Sequence, residues 1–345
     1  MVSLPASTGP AGTYFVSIFM SFIATLAVGL RFKFRRVRKM KLGGDDWTIL
    51  CALMLTLAKS IMVIVGTAQH YFGYHTSIDH ATGKIIRTGK EVSQVKSNLW
   101  GRLLLAIALG FIKVSVLLFY RRVFQVKPWF NTLSKIVAVI VILWSVAFSI
   151  SGLAHCGTHF SAWWNGNLVK YCNNTAVENV WFGVTDVVLD LIILAMPIPM
   201  IWKLQHVTNR QKIGLSVVFA LGLLSTAAAM VRLVITGLIA LSQSPTLRNA
   251  ADTIPGARDL LALNTTNAIW QIVELGAAVT GACLPTLRPL LHGYSPESVV
   301  GSIRSALSIN SEARSIRRKG SDDEIGDLPL DKTRTTGAPT NSERV

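Results

Sequence analysis

The sequence has few charged residues and few cysteines, and both shortages narrow the kind of protein it can be. Only 15% of its 345 residues are charged and 51% are apolar, whereas a soluble domain usually carries about 25% charged residues. The four cysteines form no CxxC pair, and their spacing relative to histidine is not typical of a metal site, so we expect no metal centre and no cysteine-rich secreted module. No hydrolase or kinase motif is present, so we expect no enzymatic activity. This composition predicts a membrane protein.

Seven apolar runs are long enough to cross a bilayer, which takes roughly 20 residues of helix. They are residues 14–30, 47–68, 99–120, 136–156, 180–202, 213–240 and 266–289. The pattern predicts an all-α, polytopic membrane protein with a short extracellular segment 1–13, a seven-helix domain 14–293 and a disordered polar tail 294–345. Residues 1–13 contain no Lys or Arg, so we expect the first run to be a retained transmembrane helix and not a signal peptide.

The basic residues indicate how the helices are oriented in the bilayer. They are dense in the first, third and fifth connections, and the first of these contains Arg31, Lys33, Arg35, Arg36, Arg38, Lys39 and Lys41. The positive-inside rule places these connections in the cytosol, with the N-terminus outside and the C-terminus inside. The net charge of +16 is therefore explained by membrane topology, and we expect the lipid bilayer and no nucleic acid as a partner. The membrane is expected to be the plasma membrane or another membrane of the secretory pathway.

Two features on the predicted outer side agree with this orientation. Asn173 and Asn264 begin N-glycosylation sequons. Cys156 and Cys172 flank the predicted outer fourth connection, where a disulfide would persist. A Cys156–Cys172 bridge and two free thiols are both open at this point.

Six ionisable residues lie inside the apolar runs, where a charge costs roughly 3 kcal/mol or more at the helix centre. They are Lys59, Lys113, Asp186, Asp190, Arg232 and Glu274, and their formal charges sum to zero. A rise of about 1.5 Å per residue puts Asp186, Arg232 and Glu274 in the outer part of the membrane and Asp190 near the middle. Partners or a water-filled cavity are therefore expected around them.

Three interpretations of these charges are open. They are interhelical salt bridges that fix packing, or a polar pocket open to the outside, or a relay or ion path through Asp190, Lys59 and Lys113. In the pocket interpretation Asp186, Arg232 and Glu274 line the cavity, Asp190 and Lys59 form its floor, and Lys113 stands apart as another intramembrane charge. A separate acidic pair, Asp45 and Asp46, is expected only to cap the second helix.

Several motifs occur along the chain in a fixed order. They are Gly44-Asp45-Asp46-Trp47, the run from Lys113 to Phe124, Cys156 and Cys172 on either side of Trp163-Trp164, Met196-Pro197-Ile198-Pro199, Arg232-Leu233, Trp270 to Glu274, and Cys283-Leu284-Pro285. Together they resemble the fungal rhodopsin-like integral membrane family, which includes pathogenicity-associated receptor-like proteins. The resemblance covers roughly residues 14–290 and implies a receptor-like seven-helix fold of fungal origin.

The resemblance supplies no ligand and no activity. Thr158 stands where the family often has proline, and the last apolar run, 266–289, has no lysine to hold retinal as a Schiff base. We therefore expect no cofactor. The first functional hypothesis is a receptor that senses an external small molecule and signals to a cytosolic partner. The alternative is a small-molecule or ion transporter that uses the intramembrane charges.

Overall fold

The computed structural model describes residues 9–76, 89–123, 128–154, 157, 175–198, 209–243 and 259–293. These residues form seven α-helices and no strand. The helices are α1 Pro10–Val37, α2 Gly44–Ala68, α3 Gly89–Val123, α4 Pro128–Ala154, α5 Thr175–Ala195, α6 Asn209–Gln243 and α7 Leu260–Gly293. The predicted all-α class is confirmed, and each helix overlaps one predicted apolar run.

Six of the helices are long and apolar enough to cross a membrane, so the chain is a polytopic, helical membrane protein. The remaining helix is α5, which contains three carboxylates in its 21 residues: Glu178, Asp186 and Asp190. Which end of each helix faces the cytosol stays a prediction. The chain divides into two compact units, Met1–Pro289 and Leu290–Val345, and the helical unit Met1–Pro289 contains all the features described below.

Several helices extend beyond the predicted apolar runs. The first continues from residue 30 to Val37, the third begins ten residues early at Gly89, and the last begins at Leu260 and not at 266. In α3 the extension is polar: the buried Gln94 side chain donates from Nε2 to the carbonyl oxygens of Tyr71, at 2.8 Å, and Leu261, at 3.2 Å. Hydrophobicity therefore indicates which part of a helix lies in lipid. Hydrogen bonds to other elements can stabilise helical residues beyond that part.

Helix α3 lies at the centre of the helical unit. In its apolar segment 61% of the residues are buried, against 28% in α1 and α4. Its buried face carries Leu105, Ala108, Leu109, Ile112 and Leu117. The outer helices α1 and α4 instead expose large apolar side chains such as Phe22 and Leu143, as expected for surfaces that contact lipid.

Candidate functional site

The centre of the candidate site is a buried arginine that joins three helices. Arg232 of α6 donates from Nε to Glu274 Oε2 of α7 at 2.7 Å, and from Nη2 to Asp186 Oδ2 of α5 at 2.6 Å. Both carboxylates are fully buried and the arginine is 2% exposed. Because a guanidinium has five N–H groups in a rigid plane, a single side chain can bind two carboxylates in fixed directions.

A lysine on the central helix extends the same network. Lys113 Nζ of α3 lies 3.1 Å from Asp186 Oδ1 and donates to the Asp186 carbonyl oxygen at 3.2 Å. It also forms an ion pair with Asp190, one turn further along α5. Asp186 is thus shared by two cations from different helices. We call these five residues, Lys113, Asp186, Asp190, Arg232 and Glu274, the core ion network.

The core ion network contains one more negative than positive charge when every member is ionised. Two cations face three carboxylates. Oxygen atoms of Asp186, Asp190 and Glu274 all lie within 4.8 Å of one another, a spacing that could hold a metal ion. In this arrangement the ammonium of Lys113 and the guanidinium of Arg232 provide the positive charge.

Aromatic rings cover the two cations of the network. The Arg232 guanidinium carbon lies 5.3 Å from the centre of the Phe182 ring, and Lys113 Nζ lies 5.7 Å from the Trp144 ring. The two rings stack with their centres 5.1 Å apart, and Trp144 Nε1 donates to Thr185 Oγ1 at 2.8 Å. Cation–π contacts strengthen when water is excluded, so these rings both shield and stabilise the charges.

A small residue lets α5 and α6 approach at the depth of the network. A Cβ atom at Gly183 would lie 2.9 Å from Leu233 Cδ1, which is too close for alanine without a shift. Gly183 is one turn before Asp186, and Leu233 follows Arg232 directly. Close approach through small residues is the usual way in which membrane helices pack, and here it brings Asp186 and Arg232 within hydrogen-bond distance.

The structure changes the roles expected for the two buried lysines. The sequence interpretation set Lys113 apart and placed Lys59 at the floor of a pocket, but the ion pairs run through Lys113. Lys59 is 2% exposed, and its ammonium group lies against Gly101, where an added Cβ would be too close to it. Within the described parts of the chain, no carboxylate pairs with its ammonium group. In the structure the side chains of Asp186, Arg232 and Glu274 are bound to one another. The outward-open pocket that they were expected to line stays a prediction.

A second buried ion network lies where α1 and α2 meet, and it was not expected from the sequence. Arg31 Nη2 donates to Asp45 Oδ2 at 2.5 Å and Nε donates to Asp46 Oδ1 at 2.9 Å. Arg35 lies one turn further on and contacts both carboxylates, with its Nε 2.8 Å from Asp46 Oδ1. The third donor of Arg31, Nη1, reaches the carbonyl oxygen of Ala282 in α7 at 2.8 Å. All four charged side chains are buried.

This finding corrects two expectations. Arg31 and Arg35 belong to α1 and are buried, whereas the sequence interpretation placed them in an exposed cytosolic connection. Asp46 does act at the start of α2, since its Oδ2 accepts from Gly43 N at 3.0 Å, but both aspartates mainly neutralise arginines. A usable signal was present: Arg31 and Arg35 are four residues apart and share one helix face, and two consecutive acids follow Arg35 within about one short connection.

Another pair of charges lies nearer the predicted outer end. Arg102 of α3 forms an ion pair with Glu178 of α5, and Glu178 also accepts from Ser151 Oγ of α4 at 2.6 Å. Arg102 lies near the start of the predicted apolar run 99–120, and its side chain is only 12% exposed. Here again a side chain on another helix neutralises the charge.

The predicted extracellular modifications are addressed only in part. Cys156, Cys172 and Asn173 lie outside the described residues, so the disulfide and the first glycosylation site stay predictions. Asn264 lies inside α7, near its start, and is half-buried. Of the other cysteines, Cys283 is buried and Cys51 is exposed, and both are free thiols.

Comparison with known proteins matches most of the helical region to one family. The fungal rhodopsin domain family model covers residues 30–293. That interval includes all five members of the core ion network and the second network around Arg31. No solved structure matches the chain.

Individual relatives are distant in sequence. The chain is 26% identical to the polyenoic acids biosynthesis gene cluster protein Ba17b of Metarhizium anisopliae, over 85% of this chain and 76% of that protein. It is 25% identical to the receptor GIN3 of Arthrobotrys oligospora, over 89% of this chain and 69% of that protein. It is also 25% identical to a SAT4 family membrane protein of Emericella nidulans, over 49% of this chain and 35% of that protein.

Proposed function

The chain belongs to the fungal rhodopsin domain family, and from this membership we propose that it is a receptor-like membrane protein that senses an external small molecule. One observation carries the proposal: Arg232 binds carboxylates on two other helices, Asp186 and Glu274. The likeness to a relative named as a receptor supports it. The proposal assigns no catalytic step to the chain, and the name of the relative from a biosynthesis gene cluster states no reaction.

The core ion network is suited to switching between discrete arrangements. Separating a buried charge from its partner costs about 3–5 kcal/mol, so half-broken pairings are sparsely populated. Asp186 already has two cations, Arg232 and Lys113, within 2.6 and 3.1 Å. A shift of α6 against α7 can therefore loosen the Glu274 contact while Asp186 remains neutralised. A ligand that binds one arrangement better shifts the population towards it.

The helices that the network connects also lead to the predicted signalling side. Helix α3 carries Lys113 and ends in Arg121 and Arg122, its basic last turn. The positive-inside rule places this end in the cytosol. A rearrangement at Asp186 would thus be transmitted along α3, α5 and α6 towards connections where a cytosolic signalling partner would bind.

A complementation experiment tests the receptor proposal. A fungal strain that lacks the gene receives the native chain, Glu274→Gln or the control Arg36→Gln, whose arginine is exposed. Transcript levels are measured before and after exposure to one fixed extract of conditioned medium, at matched amounts of chain in the membrane. We expect a response that depends on the native chain, persists in the control and is lost in Glu274→Gln. An equal response in Glu274→Gln would remove the network from the mechanism, and no response that depends on the chain would contradict the receptor role.

A transporter is the second candidate, and the net charge of the core ion network favours it. Three carboxylates against two cations leave one negative charge, which a transported cation or proton could balance. Asp190 is the least buried carboxylate of the three, with a side chain 17% exposed. Proteoliposomes with an imposed pH gradient test this function. We expect proton-coupled uptake of a small molecule or ion that the substitution Asp190→Asn abolishes. Uptake that survives this substitution would reject a transport pathway through Asp190.

A further inference from the structure

A basic pocket lies at the end of the helical unit that is predicted to face the cytosol. It has a volume of about 440 Å³ and is formed by the α1–α2 connection, the end of α3 and the start of α4. Its polar side chains are those of Lys41, Asp45, Arg121, Arg122 and Asn131, and Leu118 contributes apolar surface. None of these residues belongs to the core ion network, so the pocket requires its own explanation.

The wall behind the pocket is already neutral, and this leaves the pocket with an excess of positive charge. Arg31 and Arg35 balance Asp45 and Asp46 one for one. Asp45 Oδ2 is engaged by both arginines on the buried side, and its other oxygen has only a long 3.5 Å contact with Arg122. An additional cation therefore gains little from this carboxylate.

Apart from the long contact of Arg122 with Asp45, neutral acceptors hold the two arginines of the pocket in place. Arg121 donates from Nε to Asn131 Oδ1 at 2.9 Å, and Arg122 donates from Nη2 to the Lys41 carbonyl oxygen at 3.3 Å. In the described residues no carboxylate contacts Arg121 or the Lys41 ammonium. Among the residues that the structure describes, none occupies the two terminal nitrogens of Arg121, and the bond from its Nε fixes the direction of the side chain. Such a guanidinium suits a phosphate group, which it can bind through two parallel hydrogen bonds.

The depth of the pocket matches the headgroup layer of a membrane. The apolar segment of α3 ends at Arg122 and α2 begins at Gly44, so the pocket lies where both helices leave the hydrocarbon. Trp47 near the start of α2 and Trp129 near the start of α4 expose 59% and 52% of their surface, as tryptophans do in the interfacial belt. Anionic lipids are concentrated in the cytoplasmic leaflet, where basic pockets between helices bind their headgroups.

We propose that this pocket binds the phosphorylated headgroup of an anionic phospholipid. Lys41 and Arg121 contact the phosphate, Arg122 contributes positive charge, and Leu118 contacts the glycerol or the start of an acyl chain. The proposal does not depend on the receptor function, because a lipid site can hold α1, α2, α3 and α4 together in either a receptor or a transporter.

The full chain in detergent, with dioctanoyl phosphatidylinositol 4-phosphate as the probe, provides the test. Lipid binding is counted by native mass spectrometry as bound and free protein at increasing probe concentration. The variant Lys41→Gln with Arg121→Gln removes two charges from the pocket. The matched control, Lys33→Gln with Arg36→Gln, removes two exposed charges from the nearby end of α1. Far-UV circular dichroism establishes that both variants are folded.

We expect the pocket variant to bind the probe roughly 30-fold more weakly than the native chain, since each of its two lost basic residues contributes about 1 kcal/mol near a membrane. The control should change binding less than about threefold. Equal losses in the two variants would overturn the pocket, because they would show only a general attraction to the basic connection. Dioctanoyl phosphatidylcholine bound as well as the probe, or inorganic phosphate competing at equal concentration, would overturn the assignment to an anionic lipid.

Discussion

Replacing Arg232 by methionine tests whether the core ion network stabilises the helical unit. Methionine is flexible and of similar length, so the substitution removes the charge with little change in packing. It eliminates the hydrogen bonds to Glu274, at 2.7 and 3.3 Å, and to Asp186, at 2.6 Å. Glu274 then has no cation in the network, whereas Asp186 keeps Lys113 at 3.1 Å. The net charge of the network changes from −1 to −2.

The expected loss of stability follows from the unpaired carboxylate. Removing one partner of a buried ion pair destabilises by about 3–5 kcal/mol, because the other charge remains in a poorly solvated site. One kcal/mol corresponds to roughly 2 °C in a unit as large as Met1–Pro289. We therefore expect Arg232→Met to lower the melting temperature by about 6–10 °C. Adding Glu274→Gln to this variant restores a net charge of −1 and should recover at least half of the loss.

Thermal unfolding in detergent, followed by far-UV circular dichroism, measures this prediction. Arg36→Met is the control, because Arg36 is exposed near the end of α1, and it should shift the melting temperature by less than about 2 °C. A monodisperse Arg232→Met protein that melts with the native chain would refute the reasoning. So would a double variant that is no more stable than Arg232→Met alone, since the cost would then lie in packing and not in charge.

Other substitutions give contrasting expected outcomes in the same thermal assay. Lys113→Met should destabilise the protein by about 3–5 kcal/mol, because it leaves two carboxylates short of a cation. Lys59→Met should leave stability unchanged or raise it. Similar losses in both variants would contradict the assignment of the ion pairs to Lys113. Gly66→Ala should cost about 1–3 kcal/mol, because its new Cβ would lie 2.6 Å from a tyrosine ring carbon. The control Gly29→Ala, with nothing within 4 Å, should not destabilise. Arg31→Lys should lower the free energy of unfolding by about 2–3 kcal/mol although the charge is kept, since lysine cannot reach three acceptors in fixed directions. An unchanged melting temperature would show that the charge alone is sufficient.

The number and approximate position of the helices could be predicted from hydrophobicity, because each helix needs a long apolar run to cross lipid. The ends could not. Helix α1 continues to Val37 because Arg31 and Arg35 are neutralised by aspartates from the next helix. Helix α3 begins early because Gln94 finds acceptors on a turn and on α7. These extensions depend on partners that are distant in sequence or lie on another element. A hydropathy pattern contains no information about such partners.

The carboxylates and the arginine of the candidate site could be predicted from the sequence, but its lysine and its pairings could not. Rise per residue places Asp186, Arg232 and Glu274 at similar depth, and the structure brings them into contact. The choice of Lys113 over Lys59 depends on how α2 and α3 are rotated about their axes, which packing decides. Likewise, Arg31 and Arg35 follow an apolar run in the sequence, as exposed basic residues of a cytosolic connection also do. Only the fold shows that they are buried partners of aspartates.

The bond from Arg31 to Ala282 also bears on the order in which the protein assembles. Its two residues are 251 positions apart, whereas Asp45 and Asp46 follow Arg31 by only 14 and 15 positions. During synthesis the aspartates can neutralise Arg31 as soon as α2 is made, but the carbonyl acceptor appears only with α7. A chain that ends before α7 thus keeps its charge balance at this point while one donor of Arg31 has no acceptor. The second network is therefore complete only after the last helix has packed against the first.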